Sequence, residues 1–247
     1  MKVLENGYIN LIDVMGDDLR IVNAARKSFG SRTYSFGPKE KKLLKYLWDN
    51  QHTSPFEMVE FMFEVKAPLF VVRQWQRHRT WSYNEVSRRY TSDGLDFYVP
   101  EKIRTQAKDN KQASDGFLYE SGSKFIVEAI KEHNEDCLSF YENLINEGCC
   151  REQARMVLPQ NMMVEFVAKV DLSNLIKFLR LRNHPHAQWE IQEYARAIEK
   201  LIEPIVPETM KLYRETIPAT VGPVQERKIV PLNEEEFNPT FDGDGSE

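Results

Sequence analysis

Several of the usual chemical signatures are missing from this chain. It has no glycine-rich phosphate loop, no G-x-G-x-x-G fingerprint and no nucleophile triad, so the common dinucleotide folds and acyl-transfer chemistry are not expected. Cysteine is scarce, with only Cys137, Cys149 and Cys150. An odd number, two of them adjacent and none in C-x-x-C spacing, gives neither a disulfide framework nor a zinc site and points to a reducing compartment. His184-Pro-His186 lacks a cysteine or carboxylate at ligand spacing, so no metal is expected. The longest apolar stretches, such as residues 67–72, are far too short to span a bilayer. The first 18 residues carry acids where a signal peptide would need a continuous apolar run. A soluble, cytoplasmic protein without a membrane partner is expected. Positive charge is in deficit, 33 Lys and Arg against 38 Asp and Glu, for a net charge of −5. That disfavours a general nucleic-acid binder, so any basic function must be local.

One local basic feature stands out. Residues 77–90 read RHRTWSYNEVSRRY, placing Arg77, His78, Arg79, Arg88 and Arg89 near Ser82, Asn84, Glu85 and Ser87. Like charges repel, so such packing costs stability unless an anion neutralises it, and arginine's planar fork suits phosphate. A solvated basic face is the usual explanation of a charge run. Here the aromatic neighbours Trp75, Trp81, Tyr83 and Tyr90 imply a partly dry groove. The run predicts a site for a phosphorylated ligand carrying a flat ring.

The rest of the chain supplies a frame for that site. Residues 8–14 read as a strand, and Asp17 and Asp18 cap a short helix with Leu19, Val22 and Ala25 on one face. Pro38 opens a helix striped by Leu43, Leu44, Leu47 and Trp48. Residues 59–65 form a strand, and a helix follows Pro68 to about His78. On that helix Arg73, Gln74 and Arg77 share one face, while Val71, Val72 and Trp75 turn to the core. Residues 101–122 are polar and aperiodic, which predicts a mobile loop or insertion. A long helix over 123–147 comes next, then a short one over 151–157 ended by Pro159. Residues 161–170 make a strand in which Met163, Glu165 and Ala168 interrupt the alternation. Helices over 172–182 and 186–206 complete the frame. This is an α+β pattern in a single domain over residues 1–232, with an acidic tail from 233 to 247 expected to fray.

Two further arginines are informative. Leu175, Phe178 and Leu179 form an apolar stripe that Arg182 continues, so this guanidinium needs an anion, an acceptor or a snorkelling route to water. Arg155 lies between Ala154 and Met156, and its plainest role is to accompany Arg151 on a wet face. His186 suits a capping or ligand-facing position, and Thr53 or Ser54 a cap ahead of Glu57.

Taken together these segments resemble the flavin-dependent thymidylate synthases. Arg77-His78-Arg79, seven residues and then Ser87 is similar to that family's signature, and Ser82, Asn84, Glu85, Arg89 and Tyr90 widen the match. Residues 52–57, 154–159, 179–182 with 186–190, and 23–29 resemble its other motifs in the same order. The likeness spans roughly residues 7–213. It implies a central, mainly antiparallel sheet flanked by helices. The activity implied is reductive methylation of dUMP to dTMP, with methylenetetrahydrofolate as one-carbon donor, FAD as hydride carrier and NADPH as reductant. It also implies a homotetramer with shared active sites.

Residue by residue, the resemblance gives FAD to Arg77, His78, Arg79 and Glu85, with Ser54, His186, Asp171, Ser173 and Lys177 joining and Ser28 and Glu57 assisting. It gives the nucleotide to Gln74, Ser87, Arg88, Arg89 and Arg155, with Arg77 and Glu85 shared. Arg182 meets the uracil and favours ionisation at ring nitrogen 3. The chain departs from the family at Asp171 and Ser173, where Asn or Arg is common, and at Lys177, where Asn is common. An RNA- or nucleotide-binding module built on residues 77–89 is the alternative from another class, and the acidic balance disfavours it.

Overall fold

Period-two patterning draws the central sheet together. The computed structural model describes residues 1–87, 94–107 and 114–217. Its strands are β1 (Lys2–Val3), β2 (Gly7–Met15), β3 (Glu60–Pro68), β4 (Ser82–Glu85), β5 (Arg104–Gln106), β6 (Ser114–Phe117) and β7 (Met163–Asp171). Five of them form one sheet in the order β1-β2-β3-β7-β4, and every neighbouring pair is antiparallel. Phe61, Phe63, Val65 and Ala67 of β3 and Val164, Phe166, Ala168 and Val170 of β7 are buried on the helix-covered face. Ala168, an apparent break in the alternation, points inward opposite Phe63, a small residue accommodating a large one. A bulge in β2 between Leu11 and Asp13 shifts the register, and at and after it Ile12, Val14 and Met15 stand exposed.

The helices are α1 (Asp18–Arg26), α2 (Pro38–Asp49), α3 (Leu69–Trp75), α4 (Glu120–Asn146), α5 (Arg151–Ala154), α6 (Leu172–Arg182), α7 (Trp189–Ile202) and α8 (Pro207–Glu215). Helices α3, α6 and α7 share one hydrophobic core with the sheet through Val71, Trp75, Leu175, Phe178, Tyr194 and Ile198. Asp17 caps α1, its Oδ1 accepting from the Arg20 N–H at 2.9 Å. Asp18 is buried instead of solvated. Its carboxylate accepts from Glu208 N at 2.8 Å, Thr209 N at 3.2 Å and Thr209 Oγ1 at 2.6 Å, so an acid on α1 caps the distant α8.

The structure departs from the sequence expectations in four places. Pro68 ends β3, and α3 stops at Trp75. Residues 82–85, expected in a loop, form strand β4 against β7, because Tyr83 turns inward with Phe166. Within the supposed polar loop 101–122, Arg104–Gln106 pairs with Ser114–Phe117 as a hairpin and α4 begins at Glu120. The helix expected over 186–206 starts at Trp189, with Gln188 and not His186 at the N-cap. The tail 233–247 lies outside the described residues.

Candidate functional site

Pro68 turns the chain from β3 into α3 and sends α3 across the sheet, anchored by Trp75, whose side chain is fully buried. The polar side of α3 and the turn after it carry Gln74, Arg77, His78 and Arg79. The end of α6 brings Arg182 onto this turn. Its Nη2 donates to the Gln74 carbonyl at 2.8 Å and its Nε donates to His78 Nε2 at 3.0 Å. Arginine can only donate, so His78 accepts at Nε2 and is neutral, with its proton on Nδ1. Burial, and then the positive charge of Arg182, lowers the His78 pKa to about 4. The ring packs edge-on against Phe178, centroids 4.9 Å apart. Arg182 is half-buried, and burial followed by the charge of Arg77 holds its pKa below the usual arginine value.

Two guanidinium groups are therefore neighbours, Arg182 half-buried and Arg77 exposed. Neither Arg77, Arg79 nor Arg182 has an ion-pair partner among the described residues. Unneutralised cations held this close fit an anionic ligand such as a phosphate or diphosphate.

The aromatic residues correct the expectation of a groove. Trp75 and Trp81 lie in the core, 0% and 5% exposed, packed edge-on, tilted or stacked among Phe63, Phe166, Phe178 and Tyr194. Tyr83 is half-buried, its hydroxyl 3.1 Å from the carbonyls of Trp75 and His78, so it braces the turn from beneath. These rings hold the basic turn in shape and leave stacking on a ligand to other groups. Tyr90, Arg88 and Arg89 lie outside the described residues.

The remaining candidates fall into separate places. Glu85 ends β4 and accepts from Gln76 Nε2 at 3.5 Å, with Ser87 half-buried two residues on. Asp171 caps α6, accepting from Asn174 N at 2.9 Å and from its Nδ2 at 2.6 Å. Ser173 is buried, while Lys177 is exposed and donates to Asn174 Oδ1 at 3.1 Å. His186 is exposed beside His184, its N–H donating to that ring's Nδ1 at 3.2 Å. Ser54 and Glu57 are exposed before β3, and Ser28 is exposed after α1. A cavity of about 670 Å³ opens on that side, lined by Met15, Arg20, Lys27, Ser31, Arg32 and Met58 among others. Arg155 follows α5, exposed, its Nε donating to the Glu152 carbonyl at 3.3 Å. Among the described residues no hydrogen bond links it to the Gln74–His78–Arg182 group. No cluster of three or more His, Cys, Asp or Glu suited to a metal occurs among the described residues. No helix there is long and apolar enough to cross a membrane.

Sequence reasoning missed Arg104 and the specific parts played by Gln188 and Glu190. Gln74 Nε2 donates to Gln188 Oε1, Gln188 Nε2 donates to Glu190 Oε2 at 2.9 Å, and Arg104 Nη2 donates to Glu190 Oε1 at 2.5 Å. An acid at the start of an otherwise apolar helix face was the available signal for Glu190. For Arg104 there was none.

Residues 10–208 match the family model described as thymidylate synthase complementing protein. A Thermus thermophilus protein named flavin-dependent thymidylate synthase is 47% identical over 215 residues, covering 87% of this chain and 78% of its own length. A Thermosipho africanus protein of the same name is 39% identical over 212 residues, covering 86% of this chain and 92% of its own. Among solved structures, a UMP/dUMP methylase PolB from Streptomyces cacaoi bound with 5-Br dUMP superposes with a TM-score of 0.78. It shares 31% identity and covers 87% of this chain and 97% of that one.

Proposed function

The chain belongs to the flavin-dependent thymidylate synthase family, and from that membership we propose how its residues divide the work. It is an FAD-dependent enzyme that methylates dUMP to dTMP. Methylenetetrahydrofolate as one-carbon donor and NADPH as the source of reducing equivalents are our assignments. Arg77, His78, Arg79 and Glu85 would hold FAD, with Ser54, Asp171, Ser173, Lys177 and His186. Gln74, Ser87, Arg88, Arg89 and Arg155 would hold dUMP, with Arg77 and Glu85 shared. Bound and reduced, the flavin supplies the hydride that completes the methyl group.

The arrangement of Arg182 carries this reading. Carbon 5 of uracil must act as a nucleophile towards the methylene carbon, and negative charge on the ring makes it a better one. Arg182 is fixed in advance by His78 Nε2 and the Gln74 carbonyl, so its charge needs no reorganisation when that ring charge develops. Neutral His78 adds no competing positive charge. Half-burial strengthens the interaction relative to water.

The placement of Arg155 and the apolar surface support an assembly of several chains. Arg155 is exposed and apart from Arg182 in one protomer, which suits a site completed by a second chain. The exposed Ile12, Val14 and Met15 at and after the β2 bulge suit a covered face, and we assign a homotetramer. Residues 1–232 form the catalytic domain in this reading, and the unbridged cysteines suit the cytoplasm.

The test is mass-spectrometric detection of dTMP from dUMP with FAD, NADPH and methylenetetrahydrofolate supplied. Product should vanish when FAD or NADPH is omitted. Arg182→Ala should lower turnover by about 100-fold while keeping FAD. Full turnover in that variant would remove the ring-activation role.

A further inference from the structure

Hydrogen-bond polarity can be traced through a line of side chains if one end is unambiguous. Here that end is Arg104, on strand β5 of the small hairpin. A guanidinium is always protonated and only donates. Its Nη2 lies 2.5 Å from Glu190 Oε1, and its charge sits over the Trp189 ring, 5.2 Å from the centroid. Glu190 is 3% exposed, and the Arg104 guanidinium is the cation paired with its buried carboxylate. Buried Tyr98 also donates to Glu190 Oε1, at 3.3 Å.

An ionised carboxylate only accepts, so Gln188 must turn its amide nitrogen to Glu190, as its Nε2 does at 2.9 Å. That leaves Gln188 Oε1 facing Gln74, and Gln74 must answer with Nε2. Gln74 Oε1 then points away from the line. The same residue's backbone carbonyl accepts from Arg182, so both ends of Gln74 are fixed. An amide is ordinarily free to flip by half a turn and exchange donor for acceptor. In this chain the flip is forbidden by an arginine three side chains away.

We propose that Arg104, Glu190 and Gln188 are positioning residues that fix Gln74 as a hydrogen-bond acceptor towards the nucleotide. The inference rests on the reading of Gln74 as a nucleotide contact. It makes the β5–β6 hairpin part of substrate recognition, although Arg104 itself does not touch the site. The nucleotide group that meets Gln74 Oε1 is a donor, an N–H or a hydroxyl. Loss of the line lets the amide flip and set donor against donor.

The experiment is steady-state kinetics on the FAD-loaded enzyme with dUMP varied, for Gln74→Met, Gln188→Met, Arg104→Met and Arg104→Lys. Gln188→Met and Arg104→Met should each raise the KM for dUMP about ten-fold, with kcat within about two-fold of wild type and FAD affinity unchanged. Arg104→Lys should restore KM to within about three-fold, because it returns a cation to Glu190. A merely structural role would lower the melting temperature and leave KM alone. If Arg104→Met does not fold, Gln188→Met decides, since it removes no charge. A raised KM in Gln74→Met with an unchanged KM in Gln188→Met overturns the positioning line and leaves the role of Gln74 standing. An unchanged KM in Gln74→Met overturns both.

Discussion

His78 is held neutral by two neighbours: a hydrophobic wall at Phe178 and a cation at Arg182. Its pKa of about 4 lies below the ordinary histidine value of 6.5. Between those two values the unfolded chain takes up a proton that the folded chain refuses, so the unfolded state binds more protons. Stability therefore falls as pH drops from about 6.5 to about 4, and this contribution is flat on either side. The urea midpoint of wild type should fall across that window more steeply than that of His78→Gln, whose amide can still accept from Arg182. Equal slopes would show that His78 does not titrate as its surroundings demand. Protonation would also remove the acceptor at Arg182 Nε, so the residue that shapes stability in acid also governs the alignment of the proposed ring-activating group.

At the level of elements, a helix end depends on a residue far away in sequence. The first amides of α8 have no partner in their own helix. Asp18 supplies it from α1 with three hydrogen bonds, in a place where its side chain is nearly sealed from water. Asp18→Ala should cost about 2–3 kcal/mol, since it leaves buried donors unpaired. Asp18→Asn keeps an acceptor for Thr209 and should cost less. Urea denaturation of the two variants checks the order, and an Asp18→Ala midpoint equal to wild type would rule out the cap. The same dependence on distant partners places β4, which is strand only because β7 offers an edge at Phe166–Lys169.

For the whole molecule the question is which chain completes which site. Arg155 lies on the surface beyond α4, while Arg182 is half-buried at the end of α6. If one site takes Arg155 from a neighbour, then inactive Arg155→Ala and Arg182→Ala proteins should regain turnover after subunit exchange. Random mixing of a symmetric assembly then leaves roughly a quarter of the sites with both arginines. A site made within one chain would regain nothing, because every chain in the mixture lacks one arginine. Sedimentation of each variant alone separates loss of assembly from loss of chemistry.

Sequence alone determined the parts whose physics is local. Helix α6 was legible from end to end because its apolar stripe and its terminal arginine lie within eleven residues, although its Asp171 cap was not read. The basic turn was legible because repulsion among adjacent cations can be read from their spacing, and the departure of Arg182 from an apolar face was visible for the same reason. Tertiary structure decided what depends on partners distant in the chain. The tryptophans beside the basic run implied a partly dry groove, yet packing against Phe166, Phe178 and Tyr194 makes them core. The polar stretch around Arg104 had no periodicity to reveal a hairpin, and its meaning comes from Glu190, 86 positions away. Local patterns set which surfaces a segment must bury. Only the folded chain decides which polar groups meet, because a hydrogen bond's direction is fixed by its partner.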